Sequence, residues 1–457
     1  MLMVTNFTKY RRRIRDVLFA QTSIAPLIVF RIIFGLMMFA GTLRFWSKGW
    51  IESLFIQPDH FFHYYGFDWV KPFGELGMYA AFGLLLISSL CIALGMFYRV
   101  ATVVYFILFT YVELIDVTNY LNHYYFISLV AFLMCFLPAH RCLSFDVWRK
   151  PSLYCDVIPS WPIVIIKFQL GIVYFFAGIA KLNQEWLFDA MPMSIWLQAE
   201  AHWPVIGNFF TEKWLAYSFS WLGCIFDLTV VFFLLTRRFR PAAYSVLVLF
   251  HLMTGMMFPI GMFPWVMILT TLIFFSSDFH QKIIIFIYSK LNLKVASAIE
   301  YNSLFLHGFK RRFLTFFLVT YVFFQLLFPF RYLLYPGDLF WTEQGYRFSW
   351  RVMLMEKAGT AFFYITDPET GRKGEVDNSQ FLTLTQEKMM ATQPDLILQY
   401  AHILAEEVKS KGLKSPIINA EVYVTLNGVR SKLFIDPEVN LVELKDQWIH
   451  KDWILDR

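Results

Sequence analysis

The sequence predicts a mainly α-helical, polytopic membrane protein with about nine transmembrane helices, followed by a C-terminal extracytoplasmic α+β domain. Of the 457 residues, 58% are hydrophobic and only 16% are charged, whereas a soluble protein carries about 25% charged residues. Long apolar runs recur up to Leu334, and after it the runs shorten and charges of both signs mix. We therefore predict a transmembrane catalytic domain over residues 1–335 and an outer domain over residues 336–457.

The predicted transmembrane helices are apolar runs close to the roughly 17–25 residues that a bilayer requires. They cover residues 25–46, 75–97, 98–116, 122–139, 162–182, 215–236, 241–259, 263–278 and 313–334. The runs at 98–116 and 263–278 are the shortest. Residues 279–294 are too short for a further span, and we expect them to form an amphipathic segment on the inner surface.

Basic residues predict how these spans are oriented. The net charge is +6, and a basic N-terminus on the cytoplasmic side places a series of basic clusters on that side, in the loops or at the ends of the spans. These positions are Lys9–Arg15, Arg99, Arg141, Arg149-Lys150, Arg237–Arg240 and Lys310–Arg312. Short clusters separated by membrane spans argue against a nucleic-acid partner. We expect membrane lipid to surround the helices.

The predicted outer domain combines strands and a helix. Segments 347–356 and 361–366 resemble strands, with a turn at 367–372. Segment 386–411 has apolar residues at helical spacing and ends before Gly412. Segments 420–426 and 429–435 flank Asn427-Gly428, which predicts a hairpin with a type I′ turn.

The five cysteines do not have the spacing of a disulfide framework or a zinc site. None lies after Cys224, and no CxxC motif occurs. We therefore predict no metal.

Ionisable residues inside spans are costly, which makes each of them a candidate functional residue. They are Arg31, Arg44, Glu113, Asp116, His123, Lys181, Asp227 and His251. Each has a structural alternative. Lys181 could extend its amine to water, His123 and His251 could make packing hydrogen bonds, and Asp227 could pair with Arg31 or Arg44. The predicted topology puts Lys181, His123 and His251 in the outer half of the membrane, where three spans could meet at one pocket.

Several motifs, in order along nearly the whole chain, resemble the vitamin K-dependent gamma-glutamyl carboxylase family and its bacterial HTTM-domain relatives. They are Phe176–Trp186, Asn122–Tyr125, Phe250–Met253, Ile260–Phe263, Gln344–Trp350, Leu398–Ala401 and Phe434–Val439. The resemblance implies that Lys181 deprotonates vitamin K hydroquinone and that His123 stabilises the substrate carbanion. It places His251 in the same active-site region. Asn122, Trp186, Tyr346 and Trp350, which lie in these motifs, are the predicted cofactor-binding residues.

The resemblance also implies the reaction. A reduced naphthoquinone (phylloquinone or menaquinone hydroquinone) reacts with dioxygen and becomes an epoxide, and the strong base formed on the way removes a γ-proton of protein glutamate. The carbanion then captures carbon dioxide. Because general bases work best near their own pKa, no side chain could remove that proton directly. Lys181 must be neutral to begin the sequence, and burial against the apolar run 172–180 would favour its neutral form.

Three departures from the family bear on the catalytic assignment or on substrate recognition. One lysine, in Ala180-Lys181, stands where the animal enzymes have two adjacent lysines. Their disulfide to the lumenal domain has no counterpart, because no cysteine falls in the outer domain, and their long C-terminal extension is absent from this sequence. The missing extension favours a bacterial inner-membrane protein. We expect a monomer that acts on a glutamate-containing secreted or membrane protein.

Three alternatives remain open at this point. The protein could epoxidise the quinone without carboxylating a substrate. It could be a proton- or ion-coupled transporter that uses buried His and Asp residues, although inverted repeats and broken helices are not evident. It could also bind a quinone without catalysis.

Overall fold

The computed structural model describes residues 16–290, Leu304 and residues 308–457. The basic cluster Lys9–Arg15 and the end of the predicted amphipathic segment, residues 291–294, lie outside the described residues. The longer helices of the first part are α1 (Ala25–Ser47), α2 (Gly74–Leu94), α3 (Tyr98–Ile115), α4 (Asn122–Met134), α5 (Trp161–Ala180), α6 (Lys213–Leu235), α7 (Arg240–Met257), α8 (Phe263–Thr271), α9 (Ser277–Lys290) and α10 (Gly308–Leu327). Shorter helices include Trp50–Phe55, Phe145–Arg149, Gln184–Leu187, Met193–Ala199 and Leu339–Thr342.

Six helical segments in the described part of the chain are long and apolar enough to cross a membrane. They are Ala25–Ser47, Gly74–Leu94, Tyr98–Ile115, Trp161–Ala180, Lys213–Leu235 and Gly308–Leu334. A bent pair, Phe263–Phe274 with Ser277–Lys290, would make a seventh. The protein is thus a multi-pass membrane protein, and the predicted count of nine spans is not confirmed.

The remaining predicted spans are helical but differ in length or shape. The predicted run 122–139 forms only the 13-residue helix α4, which would rise about 20 Å at 1.5 Å per residue. The chain bends by 113° between Phe263–Phe274 and α9. The bend separates the predicted amphipathic segment from the span before it, as expected, whereas its position at the inner surface stays a prediction.

Two short strands that the sequence pattern did not predict precede the first and the fifth helix and pair with each other. β1 (Gln21–Ser23) pairs antiparallel with β2 (Val157–Pro159), so the chain enters α1 and α5 side by side. Strands of three residues are difficult to predict from sequence, because the alternation of apolar and polar residues that indicates a strand needs about four residues to be recognised.

The C-terminal region contains a four-stranded antiparallel sheet with two helices. The strands are β3 (Lys357–Thr366), β4 (Lys373–Glu375), β5 (Ile417–Leu426) and β6 (Lys432–Leu433), in the order β4-β3-β5-β6. The helices are α11 (Leu384–Met390) and α12 (Pro394–Ser410). The ring of Tyr400 on α12 contacts that of Phe363 on β3 at 4.8 Å, edge to face, and both are fully buried. The sheet and α12 therefore share one core.

Three predictions for this region need correction or refinement. Residues 347–356 do not form a strand, since Phe348, Trp350 and Met353 all have positive φ angles, which a strand does not allow. The predicted helix 386–411 is two helices, because Pro394 begins the second and holds the residue before it in an extended conformation. The turn at Asn427-Gly428 is confirmed, with positive φ at both residues, although the pairing of β6 begins only at Lys432.

Candidate functional site

Lys181 follows the last residue of α5, and its side chain points into the protein. The residue is 6% exposed. Its Nζ donates a hydrogen bond of 2.7 Å to Oδ2 of Asp227 on α6 and a longer one of 3.4 Å to the carbonyl of Ala177. Asp227 is 5% exposed. The amine therefore does not extend to water, and it meets a carboxylate within the membrane domain.

The close contact of α5 with α6 explains why these two residues meet. A Cβ atom at Gly178 would lie 2.8 Å from the backbone nitrogen of Leu228, so only glycine allows the two backbones to approach this closely. Asp227 lies roughly four helical turns from the start of α6, whereas Lys181 is at the end of α5. Because α6 extends about four turns beyond this contact towards its N-terminus, the lysine lies below the N-terminal end of α6.

The prediction that Asp227 pairs with Arg31 or Arg44 is wrong. Arg31 instead donates hydrogen bonds to the carbonyls of Ala139, Cys142 and Leu143. The guanidinium of Arg44 lies over the ring of Trp50, 4.8 Å from its centroid. Both arginines therefore contact groups other than Asp227. Lys181 is the counter-charge of Asp227.

Trp186 forms part of the wall of a cavity beside Lys181. Asn183 caps the short helix Gln184–Leu187 by accepting a hydrogen bond from the Trp186 backbone N–H. The indole Nε1 donates to the carbonyl of Ser220 on α6 at 2.8 Å. This bond holds the ring with its centroid 5.3 Å from Lys181 Nζ, within the range of a cation–π contact.

His251 on α7 is the second polar group of the cavity. The residue is 1% exposed, and its Nε2 lies 2.8 Å from the hydroxyl of Tyr174 on α5. Its other ring nitrogen, Nδ1, is buried and has no hydrogen-bond partner among the described residues. A buried polar atom without a partner is uncommon in proteins, so one hydrogen-bonding position of His251 is unfilled among the described residues.

A single cavity joins Lys181, Asp227, Tyr174 and His251. It has a volume of about 100 Å³ and is partly open to the outside. Its other walls are mostly apolar and aromatic, with residues from α5, α6, α7, α8 and the loop after α7. Val352 and Met353, from the segment before β3, complete the lining. The C-terminal region therefore contributes directly to the cavity.

His123 lies behind one aromatic ring of this cavity. Its ring is 5.8 Å from that of Phe263, and the ring of His251 contacts Phe263 at 5.5 Å. Phe263 lines the cavity and His123 does not. The two predicted histidines are close in space, as expected, but the ring of Phe263 separates them.

The predicted cofactor-binding residues are placed differently from one another. Trp186 lines the cavity, whereas Asn122, Tyr346 and Trp350 do not. Asn122 Nδ2 donates to the carbonyl of Arg351, and the ring of Trp350 stacks on Tyr125 at 4.8 Å. These contacts hold the segment before Val352 and Met353 against α4. The cofactor-binding role of all four residues stays a prediction.

The other ionisable residues of the spans lie outside the cavity. Glu113 accepts a hydrogen bond from Ser128 on α4 at 2.6 Å. Asp116 accepts hydrogen bonds from Thr118 and from Gln386 of the C-terminal region. Tyr174 and Phe263 are among the cavity residues that were not predicted as site residues, because pattern alone does not distinguish them from the many other aromatic residues of the spans.

Comparison with known protein families divides the chain in two. The family model of the HTTM domain matches residues 19–279. The family model of the lumenal domain of vitamin K-dependent gamma-carboxylase matches residues 310–457. The second match includes α10, so it begins before the domain boundary predicted at residue 335. No solved structure matches the chain.

Proposed function

We propose, because the chain belongs to the vitamin K-dependent gamma-carboxylase family, that it couples oxidation of a reduced naphthoquinone to carboxylation of protein glutamate. The products are a quinone epoxide and γ-carboxyglutamate, with dioxygen and carbon dioxide as co-substrates. The match to a lumenal domain implies that the C-terminal region is extracytoplasmic. We further propose that the membrane is a bacterial inner membrane and that the enzyme works as a monomer.

The observation that carries this proposal is a primary amine on the wall of a buried, mostly apolar cavity. Lys181 is the only lysine that lines the cavity among the described residues. A base that takes a proton from a hydroquinone must lie within hydrogen-bond reach of the hydroxyl. The position of Lys181 meets that requirement for a quinone ring bound in this cavity.

The residues present fit a reduced naphthoquinone, either phylloquinone or menaquinone hydroquinone. Aromatic and methionine side chains such as Phe219, Phe250 and Met257 offer apolar contact to the rings and the isoprenoid tail. Lys181 and His251 offer two polar contacts for the hydroxyl groups, and Nδ1 of His251 has no other partner among the described residues. When bound, the hydroquinone supplies with dioxygen a base far stronger than any side chain.

Each residue of the site then has a defined task. Lys181 accepts the proton of one hydroxyl group at Nζ. His251, held by Tyr174, orients the other hydroxyl group through Nδ1. Trp186 and the apolar walls exclude water, which strengthens the electrostatic interactions inside the cavity. His123, behind Phe263, stabilises the carbanion of the substrate glutamate once that ring allows access.

The glutamate reaches the cavity from the side covered by the C-terminal region. Val352 and Met353 belong to that region and line the cavity. A glutamate-containing segment of a secreted or membrane protein bound there would place its γ-carbon next to the quinone. The protein partner is therefore a peptide segment on the extracytoplasmic side.

An assay with both products measured tests this function. Purified protein is supplied with reduced vitamin K, dioxygen, labelled bicarbonate and a glutamate-rich peptide. We expect epoxide and labelled peptide from the wild type, and neither from Lys181→Ala. Lys167→Ala is the matched control, because Lys167 is also on α5 but lies against Phe274, outside the cavity.

The outcomes separate the alternatives. Epoxide without labelled peptide would identify a quinone epoxidase. No turnover of the quinone by the wild type would refute the enzymatic proposal. Since Lys181→Ala leaves Asp227 buried without a partner, which costs about 3–5 kcal/mol, the double variant Lys181→Ala/Asp227→Asn controls for loss of the fold.

A further inference from the structure

The carboxylate of Asp227 is the nearest charged group to the amine of Lys181, and both side chains are buried. The two side chains are 8% and 7% exposed, and the atoms that join them are 2.7 Å apart. Burying an ion pair costs desolvation that its attraction does not always recover, and apolar residues of similar volume often stabilise a protein as well. Folding alone therefore does not require an ion pair at this position.

We propose that the base that meets the hydroquinone is the Lys181–Asp227 pair, with Asp227 as the positioning residue that directs Nζ and supplies its counter-charge. This inference rests on the proposed function and extends it to a residue outside the predicted catalytic set. Without the carboxylate, the lysine side chain would have one long hydrogen bond, at 3.4 Å to Ala177. With it, Nζ is held on the cavity wall beside Trp186.

The proton transfer balances within the pair. In its active form the pair consists of a neutral amine and a carboxylate. The O–H bond of the hydroquinone breaks, its electron pair stays on the oxygen, and the lone pair of Nζ forms the new N–H bond. One negative charge thus moves from the pair to the bound ring, and the ammonium remains neutralised by Asp227. The extra proton later leaves to water on the outer side.

The remaining neighbours do not supply a competing charge. On α5 the nearest titratable group in the cavity is the Tyr174 hydroxyl, which is bonded to His251 of α7. On α6 the thiol of Cys224 points to the carbonyl of Gly178. The short helix contributes the uncharged ring of Trp186, and the C-terminal region contributes apolar Val352 and Met353.

The pair has two effects on the rate, and they differ in direction. A carboxylate 2.7 Å away favours the ammonium over the neutral amine, and in this way it opposes formation of the active form. Once the amine is neutral, the carboxylate assists the reaction, because it neutralises the ammonium that the proton transfer forms. Replacing Asp227 by asparagine should therefore lower the maximal rate and let activity begin at lower pH.

The test is the pH dependence of quinone epoxidation in Asp227→Asn. We expect the acid limb to move to lower pH by at least about one unit, with the plateau lowered at least about tenfold. Asp227→Glu keeps the charge, so its acid limb should stay near that of the wild type while its plateau falls. Ser218→Ala, also on α6 but outside the cavity lining, should leave both unchanged.

A plateau that falls in Asp227→Asn while the acid limb does not move would overturn the inference, since a purely structural role predicts that result. A wild-type rate and profile in Asp227→Asn would also overturn it. If Asp227→Asn does not fold, Asp227→Glu provides the test. An acid limb that moves to lower pH in Asp227→Glu would then overturn the inference. An inactive wild type would contradict the proposed function itself, so the two failures are distinguishable.

Discussion

The hydrogen bond between Tyr174 and His251 is the residue-scale feature that orients the second polar group of the cavity. Tyr174→Phe removes the hydroxyl and leaves His251 Nε2 without its partner. Hydrogen bonds between membrane helices average about 0.6 kcal/mol and reach about 1.7 kcal/mol, so we expect a loss of unfolding free energy in that range. We also expect the KM for the hydroquinone to rise more than kcat falls, because His251 would bind rather than react.

Tyr321→Phe is the matched control for this prediction. The Tyr321 hydroxyl donates to Gln169 at 2.7 Å between α10 and α5, and neither residue lines the cavity. We expect Tyr321→Phe to lower the free energy of unfolding by a similar amount and to leave the KM for the hydroquinone unchanged. An unchanged KM in Tyr174→Phe would show that His251 does not contact the hydroquinone.

At the scale of helices, the contact of α5 with α6 sets the distance between Lys181 and Asp227. In Gly178→Ala the new methyl group would lie 2.7 Å from Leu228 Cγ and 2.8 Å from its backbone nitrogen. The helices must separate, which costs about 1–3 kcal/mol. We expect a lower midpoint of thermal unfolding in detergent and slower quinone oxidation.

Gly83→Ala provides the control for replacing a helical glycine. A Cβ at Gly83 on α2 would have no other heavy atom within 4 Å. Since alanine favours a helix over glycine by up to about 1 kcal/mol, this variant should be as stable as the wild type or slightly more stable. Equal stability of Gly178→Ala and the wild type would contradict the close helix contact.

The elements show which features a sequence can predict. Apolar runs predicted most helices to within a few residues, because hydrophobic periodicity reports which face is buried. The segment 347–356 has strand-like composition, yet packing of Trp350 against Tyr125 holds it in a conformation that strands exclude. Lys181, His123 and His251 were identifiable as costly polar residues. The Lys181–Asp227 pair was not identifiable, because it depends on the position of α6 along α5. The sequence of either helix alone does not determine that position.

At the scale of the whole molecule, an ion pair joins the segment above the cavity to the helix of the outer sheet. Arg347 Nη1 donates to Asp395 at 2.5 Å, near the start of α12. Burial alone would raise the pKa of Asp395, but the charge and hydrogen bonds of Arg347 outweigh it and hold that pKa below its usual value. The pair therefore stabilises the C-terminal region when Asp395 is ionised.

The sign of this shift predicts an acid-sensitive C-terminal region. Because the pKa is lower in the folded protein, the stabilisation is complete above about pH 4 and is lost as the pH falls through the folded-state value. One such proton changes the unfolding free energy by at most about 1.4 kcal/mol per pH unit. We expect the thermal midpoint to fall with acid in the wild type and to fall less in Asp395→Asn.

Asp456→Asn is the control, because Asp456 is exposed and its loss should not alter the response to acid. Identical acid profiles for the wild type and Asp395→Asn would show that the Arg347–Asp395 pair does not stabilise the region. Since Val352 and Met353 follow Arg347 along the chain, loss of this pair should also disturb the outer wall of the cavity.

The central claim is that the amine of Lys181 is the base that begins quinone oxidation, and chemical rescue tests it most directly. Removing a general base slows a reaction by about 10²–10⁴-fold, so Lys181→Ala should form epoxide at least about 100-fold more slowly than the wild type. Added primary amines, small enough for the space left by the side chain, should restore epoxide formation in proportion to their concentration. Lys167→Ala should need no amine. Epoxide formation by Lys181→Ala at the wild-type rate, without any added amine, would contradict the claim.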